Sequence, residues 1–505
     1  MRCKLIVSGL LFLLAVSSVQ AAVSLPRLLS DHMVLQRDAP VRLWGTASPG
    51  EMVKVTFRQE SVSVKADASG KWEAFLSPMK AGGPDDMRIE GDNAITLRDV
   101  LVGEVWVASG QSNMQWTVGR SDNAEQEIAA ANHPMIRLFM VELETAEAPK
   151  DDVTGSWARC SPESVPEFSA VAYYFGRYLH QELDVPIGLI RSAWGGTPAE
   201  AWTSMETLRA DPALAYYLQK WDKVLADYPS EMARYQQAVK AWEERAAKAG
   251  GNPPAKPREP RGPGHQHQPA TLYNAMIAPL TPLAIRGAIW YQGESNAGTE
   301  EAFLYRRLFQ TMIADWRARW AIGNFPFLFV QLADFDAGAL RDWPILRESQ
   351  TDTLQLRNTG MAVTTDIGNA KNIHPTNKQD VGKRLALWAL AETYGKNVVY
   401  SGPLYRQMTV EGNRARLWFD HAGGGLKAAG GVLKGFVIAG PDHIFHPAGA
   451  VIDGGNVVVS SPAVTEPKAV RYGWANVPEN TLRNAEGLPA SPFRTDRWNN
   501  ARMPE

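Results

Sequence analysis

Cysteine is nearly missing from this chain: 505 residues hold two, Cys3 and Cys160. Cys3 precedes the N-terminal apolar run instead of following it, the wrong place for a lipid-bearing cysteine. If that N-terminal stretch is removed, Cys160 stands alone and no internal disulfide can form, so core burial must hold the protein together. An excess of charge of one sign is missing too. Fifty-two Lys and Arg face 54 Asp and Glu, a formal net charge of −2, which gives no electrostatic case for a nucleic-acid partner. Beyond the first residues no apolar run is long enough to span a bilayer, so no membrane partner is expected. His265-Gln266-His267 is the one histidine pair that hints at metal. With no acidic or cysteine partner beside it, it reads as a solvated loop, and no metal is expected.

Apolar residues make up 45% of the chain, enough for sizeable cores, and the length corresponds to roughly two to four domains. At the N-terminus, Arg2 and Lys4 precede the apolar run from Leu5 to Val16, and Ser18-Val19-Gln20-Ala21 ends in small residues. This has the form of a secretory signal peptide over residues 1–21, cut after Ala21. Export to the periplasm or beyond is the expectation.

Residues 22–100 alternate apolar and polar in short runs such as Val41-Arg42-Leu43-Trp44 and Val53-Lys54-Val55-Thr56-Phe57. Turns at Ser48-Pro49-Gly50 and Ala68-Ser69-Gly70 separate them, which predicts a β-sandwich or half of one. Over 101–399 the pattern changes. Short apolar strands (105–108, 187–190, 287–291, 327–332, 361–365) alternate with helical stretches such as 170–182 and 303–319, the signature of a parallel sheet with helices on both faces. A polar helical insertion with a Pro/Gly/basic tail interrupts this domain at about 204–265. Residues 400–505 return to short, glycine-rich strands, which the sequence allows to pair with the N-terminal ones into a single sandwich.

The most informative stretch is Val105-Trp106-Val107-Ala108-Ser109-Gly110-Gln111-Ser112-Asn113-Met114. It predicts a strand running into a tight turn with Ser112 at its tip. A serine there can be a turn or N-cap residue. It is also where a nucleophile belongs, since ligands of open parallel sheets sit beyond the carboxyl ends of the strands. Three more strand ends carry polar chemistry: Trp194-Gly195-Gly196-Thr197, Trp290-Tyr291-Gln292-Gly293-Glu294-Ser295-Asn296, and the loop from Asp366 to His374-Pro375. Acyl transfer needs a hydroxyl, a base, a group to orient the base and donors for the oxyanion. Ser112 and His374 are the candidate nucleophile and base. Paired glycines let backbone amides approach a substrate, and Gln292 and Asn296 offer side-chain amides. Each alone has an ordinary structural explanation, but serine, Gly-Gly, Gln/Glu/Asn and histidine on four separate strand ends do not arise readily by chance.

Together the four blocks resemble the sialate O-acetylesterase family of the SGNH, or GDSL-like, hydrolases. The resemblance extends to Asp31-His32-Met33-Val34-Leu35-Gln36, to 273–280 and to Asn484-Ala485-Glu486-Gly487-Leu488-Pro489, so it covers nearly all of the chain after residue 21. It implies a flavodoxin-like, three-layer α/β hydrolase domain flanked by β-rich segments, and a serine carbohydrate O-acetylesterase without a cofactor. It also implies roles. Ser112 matches the nucleophile and His374 the base. The amides of Ser112 and of Gly195 or Gly196 match oxyanion donors. Two departures are visible. The usual Gly-X-Asn-Asp block is replaced by Gln292-Gly293-Glu294, which makes Gln292 the expected third donor and Asn296 the second choice. The wider superfamily carries Asp three residues before the histidine, where this chain has Lys371. The orienting acid is then expected to be Glu294, with Asp366 as the alternative and a bare Ser112–His374 dyad as the third. Gln111, Trp116 and Trp194, beside these elements, are the expected substrate contacts. The substrate class is an acetylated carbohydrate, a sialic acid or a plant polysaccharide such as xyloglucan or xylan. Two other readings compete: a glycan-binding protein that has lost activity, and a lipid-directed esterase of the same superfamily. The charged insertion and the lack of a Leu/Phe-rich lid near Ser112 count against the second.

Overall fold

The computed structural model describes residues 22–249, 254–338 and 341–498. Its spine is one 17-residue strand, Ala94–Gly110. The N-terminal half of this strand pairs antiparallel with Gly82–Glu90 and parallel with Val34–Gln36. Its C-terminal half is the centre of a parallel sheet. On one side lie Gly287–Tyr291, Phe327–Val330 and Thr359–Ala362, and on the other Ile187–Ala193 and His133–Met140, all parallel to their neighbours. Trp157–Cys160 closes that edge antiparallel. The run Val105–Ala108 is entirely buried, as expected of a central strand covered on both faces.

Both neighbours of the central strand come from later segments of the chain, one on each side. The crossovers therefore diverge at its carboxyl end, and a crevice opens there, at Gly110 and Ser112. Helices Ala170–Leu183, Thr299–Trp320 and Lys378–Trp388 make the expected α/β layers. The last of these starts at Lys378, where Asn377 caps it by accepting from the Asp380 amide. The insertion is helical but not in one piece. Asp211-Pro212 interrupts it, since proline has no amide to donate, and a 34-residue helix follows over Ala215–Lys248. Of the whole length of that helix, only Tyr217 and Trp221 are buried.

The β-rich ends form separate assemblies. In the N-terminal segment, Met52–Phe57 and Glu60–Lys65 join the long sheet through Gly82–Glu90, while Val41–Thr46 pairs with Lys71–Leu76. The C-terminal strands make two four-stranded sheets and a two-stranded one, around a core of their own that includes Leu417, Ile438, Val457 and Val470. No ladder among the described residues joins these strands to residues 22–100, so the single shared sandwich considered from the sequence is not formed. The C-terminal unit instead leans on the domain that carries the parallel sheet. Arg347, fully buried, donates to the carbonyls of Leu332 and Ala475, and Arg494 pairs with Glu348. The expected leader, residues 1–21, lies outside the described residues.

Candidate active site

Gly110 ends the central strand with φ +135°, and a Cβ there would lie 2.2 Å from the carbonyl oxygen of Tyr291. Only glycine allows the chain to turn this closely against the next strand. Ser112 then opens a short helix, Ser112–Gln115, and its amide has no acceptor among the described residues. His374 reaches the same point from the loop that follows Thr359–Ala362. Its Nε2 lies 2.8 Å from Ser112 Oγ, although 262 residues separate the two in sequence. The ring stacks on Trp116, with centroids 5.2 Å apart and planes at 22°. The His374 amide donates to Asn372 Oδ1. Burial lowers the pKa of the imidazole, and the positive charges of Lys378 and Arg120 lower it further. A histidine held neutral at pH 7 can accept a proton from a hydroxyl.

None of the carboxylates expected to orient the ring touches it. Glu294 is buried, and its Oε1 accepts from Asn113 Nδ2 at 2.6 Å. The same amide nitrogen donates to the carbonyl of Ile373 at 3.0 Å, and Lys378 Nζ donates to Asn113 Oδ1 at 2.6 Å. Glu294 therefore reaches His374 only through Asn113 and the backbone of the residue before it. Burial pushes the Glu294 pKa up and that of Lys378 down, to about 7. Asp366 lies elsewhere. Both of its oxygens are held by Arg384, at 2.6 and 2.8 Å, and one also accepts from Arg483. It ties the helix Lys378–Trp388 to the C-terminal unit and makes no bond to His374, so the alternative in which Asp366 orients the ring is not formed. Of the three arrangements the sequence left open, the described hydrogen bonds form the Ser112–His374 dyad.

The expected oxyanion donors also need correction. Gln292 is fully buried. Its Oε1 accepts from the Tyr305 hydroxyl at 2.9 Å and its Nε2 donates to Asn296 Oδ1 at 2.6 Å. Asn296 accepts from the Ala199 amide and donates to Glu200. Both side chains brace the segment after Trp194-Gly195-Gly196, and neither points to Ser112. Gly195 does lie against the serine, since a Cβ there would sit 3.3 Å from Ser112 Cβ. Its amide, however, donates to Gln115 Oε1 at 2.7 Å. Gly196, with φ +75° and open space around it, remains unobstructed.

Among the expected substrate contacts, Trp116 lines the cleft with Ser112 and His374. Gln111 is buried, its Oε1 accepting from the Ser295 amide at 3.2 Å, and it takes no part in the cleft wall. Trp194 is half-buried against the core, and its amide donates to the Gly110 carbonyl. The cleft, of about 770 Å³, is completed by groups the sequence reading missed, among them Gln115, Arg120, Glu142, Glu167 and Arg191. Arg120 lies over the Trp116 ring, 4.0 Å from its centroid. Asn113 and Lys378 were missed as well, though both stand beside motifs already singled out. Among the described residues no cluster of three or more His, Cys, Asp or Glu could hold a metal ion.

A serine and a histidine in hydrogen-bond contact, at the carboxyl end of a parallel sheet covered by helices, form the arrangement that nucleophilic hydrolysis requires. Comparison with known proteins narrows the class. Residues 102–248 and 262–391 match the family model described as carbohydrate esterase, sialic acid-specific acetylesterase. The mouse sialate O-acetylesterase is 34% identical over 421 residues, 75% of each chain. The human enzyme is 34% identical over 418 residues, 74% of this chain and 72% of that one. A solved carbohydrate acetylesterase from Xanthomonas citri is 42% identical and superposes with a TM-score of 0.82, covering 94% of this chain and all of its own. The chain belongs to the sialic acid-specific acetylesterase family of carbohydrate esterases. The activity these relationships support is hydrolysis of acetyl esters on carbohydrate.

Proposed function

We propose that the protein is an exported carbohydrate O-acetylesterase that works through an acetyl-enzyme on Ser112. His374 Nε2 takes the hydroxyl proton as Ser112 Oγ attacks the acetyl carbonyl. The Ser112 amide, which has no acceptor among the described residues, supports the developing oxyanion. Collapse of the tetrahedral intermediate breaks the ester bond, and His374 returns the proton to the leaving sugar oxygen. Water then attacks the acetyl-serine with His374 again as base, releasing acetate and restoring the hydroxyl. Glu294 acts at one remove, through Asn113, to fix the loop that carries the histidine. The observation that carries this reading is the 2.8 Å contact between Ser112 Oγ and His374 Nε2, with the ring stacked on Trp116.

Export rests on Arg2, Lys4, the apolar run to Val16 and the small residues ending at Ala21. The substrate is an acetylated sugar, in keeping with the names of the mouse, human and Xanthomonas citri relatives. A purified chain starting at Ala22 is expected to release acetate from an aryl acetate and from O-acetylated sugars. Sugar binding without acetate release would favour the inactive glycan-binding alternative. A preference for acyl chains of eight or more carbons in an aryl ester series would favour the lipid-directed one.

A further inference from the structure

Lys378 is the one buried lysine among the described residues, at 0% exposure. It is also the first residue of Lys378–Trp388, where the amides of the first helical turn present a partial positive charge. Both placements disfavour a cation, and no ion pair of Lys378 among the described residues offsets them. Its ammonium lies 5.3 Å from the ring centroid of Tyr291 and 5.8 Å from that of Trp116. Its hydrogen bond goes to Asn113 Oδ1, at 2.6 Å. Glu294, the nearest buried acid to this bond, meets the other end of the same amide and keeps its Oε2 without a partner. The two buried charges are thus joined through a primary amide that lies between them. Burial opposes the ionised form of both groups, and each charge favours ionisation of the other.

We infer that Lys378 is a positioning residue: with Glu294 it fixes the Asn113 amide in the one orientation that latches the Ile373 carbonyl and so holds His374 against Ser112. An ammonium only donates, and a carboxylate or carbonyl only accepts. With Lys378 on one side and Glu294 and Ile373 on the other, Asn113 must turn its oxygen to the lysine and its nitrogen to the two acceptors. A reversed amide would set donor against donor and acceptor against acceptor. Asn113 follows the nucleophile in sequence and Ile373 precedes the base, so this one amide joins the two halves of the dyad from behind. The lysine charge also acts on His374 directly, together with that of Arg120. Arg341 acts on Glu294, and Asp122 on Lys378. The inference rests on the reading of Ser112 and His374 as the ester-cleaving pair.

The test uses 4-nitrophenyl acetate and rates per folded enzyme. Lys378→Met puts an apolar chain between the Trp116 and Tyr291 rings. It should lower kcat roughly 10- to 100-fold, the scale of a misplaced catalytic group, with KM within about threefold of wild type. The acidic limb of kcat/KM should move upward, since one positive charge beside His374 is gone. Removing one of two coupled buried charges can itself unfold a protein, and removing both avoids that. Lys378→Met combined with Glu294→Gln should therefore melt at or above the temperature of Lys378→Met alone, while its kcat stays low, because a glutamine both donates and accepts and leaves the amide no side it must face. A kcat within about threefold of wild type in Lys378→Met, or an acidic limb that stays put, overturns the inference. So does a double variant that regains kcat along with its melting temperature, which would make the lysine a stabilising group only. A wild type that does not hydrolyse 4-nitrophenyl acetate removes the esterase reading itself, and the inference with it.

Discussion

Two turns leave adjacent parallel strands at the same end of the sheet, and they do opposite things. Gly110-Gln111-Ser112 presents a hydroxyl to the cleft and to His374. Gln292-Gly293-Glu294-Ser295-Asn296, one strand over, is equally polar, and its Gln292, Glu294 and Asn296 side chains are buried in bonds to Tyr305, Ala199, Glu200 and Asn113. The difference is not residue type. It is whether the side chain is turned into the protein and bonded there or faces the cleft, although Glu294 keeps one buried oxygen, Oε2, without a partner. Engaged groups set the shape of the site, and free ones do its chemistry.

This contrast predicts a graded series of losses. Ser112→Ala or His374→Ala removes a free group and should lower kcat by roughly 10,000-fold or more, with the two changes no worse together than apart. Additive losses in the double variant would mean that the two side chains do not act as a unit. Glu294→Gln disturbs the loop behind His374 and should lower kcat on the order of 10- to 100-fold, with little change in KM. A loss as deep as that of Ser112→Ala would instead place the carboxylate on the imidazole. Gln292→Ala should act on stability, leaving Tyr305 and Asn296 underbonded at a cost of about 1–3 kcal/mol in denaturant unfolding. Its kcat on an aryl acetate should stay within about threefold of wild type. If kcat collapses while stability holds, Gln292 is an oxyanion donor after all.

The smallest effect concerns pH. His374 serves as base when neutral, so activity is present above its pKa and is lost as pH falls through it. Burial and the charges of Lys378 and Arg120 put that acidic limb below the ordinary histidine value. Arg120→Gln removes one repelling charge and should move the limb upward. A limb that stays put, or moves down, would contradict the electrostatic account.

Much of this was legible in the sequence, and the parts that were not share a cause. Alternating apolar strands and helices gave the layered sheet. The strand-turn pattern at Val105–Ser112 and the lone histidine on a late loop picked out two groups that meet across 262 residues. The fate of Gln292 depends on Tyr305, thirteen residues on, and on Asn296 and Glu200. Asp366 is claimed by Arg483, 117 residues away. Such bonds are set by packing between elements, and a local pattern carries no record of them. The pairing of the terminal strands failed for the same reason, because sheet partners are non-local. Arg191 did leave a signal. A single charge inside the apolar run Ile187–Ala193 is the mark of a buried cation that needs a partner.

The most direct test of the central claim is to trap the intermediate. The wild-type chain is mixed with an aryl acetate, quenched in acid within the first turnovers, digested and mapped by mass spectrometry. One acetyl group is expected on the peptide containing Ser112, lost in Ser112→Ala and strongly diminished in His374→Ala. Acetyl on another residue, or turnover that proceeds undiminished without Ser112, would contradict the account.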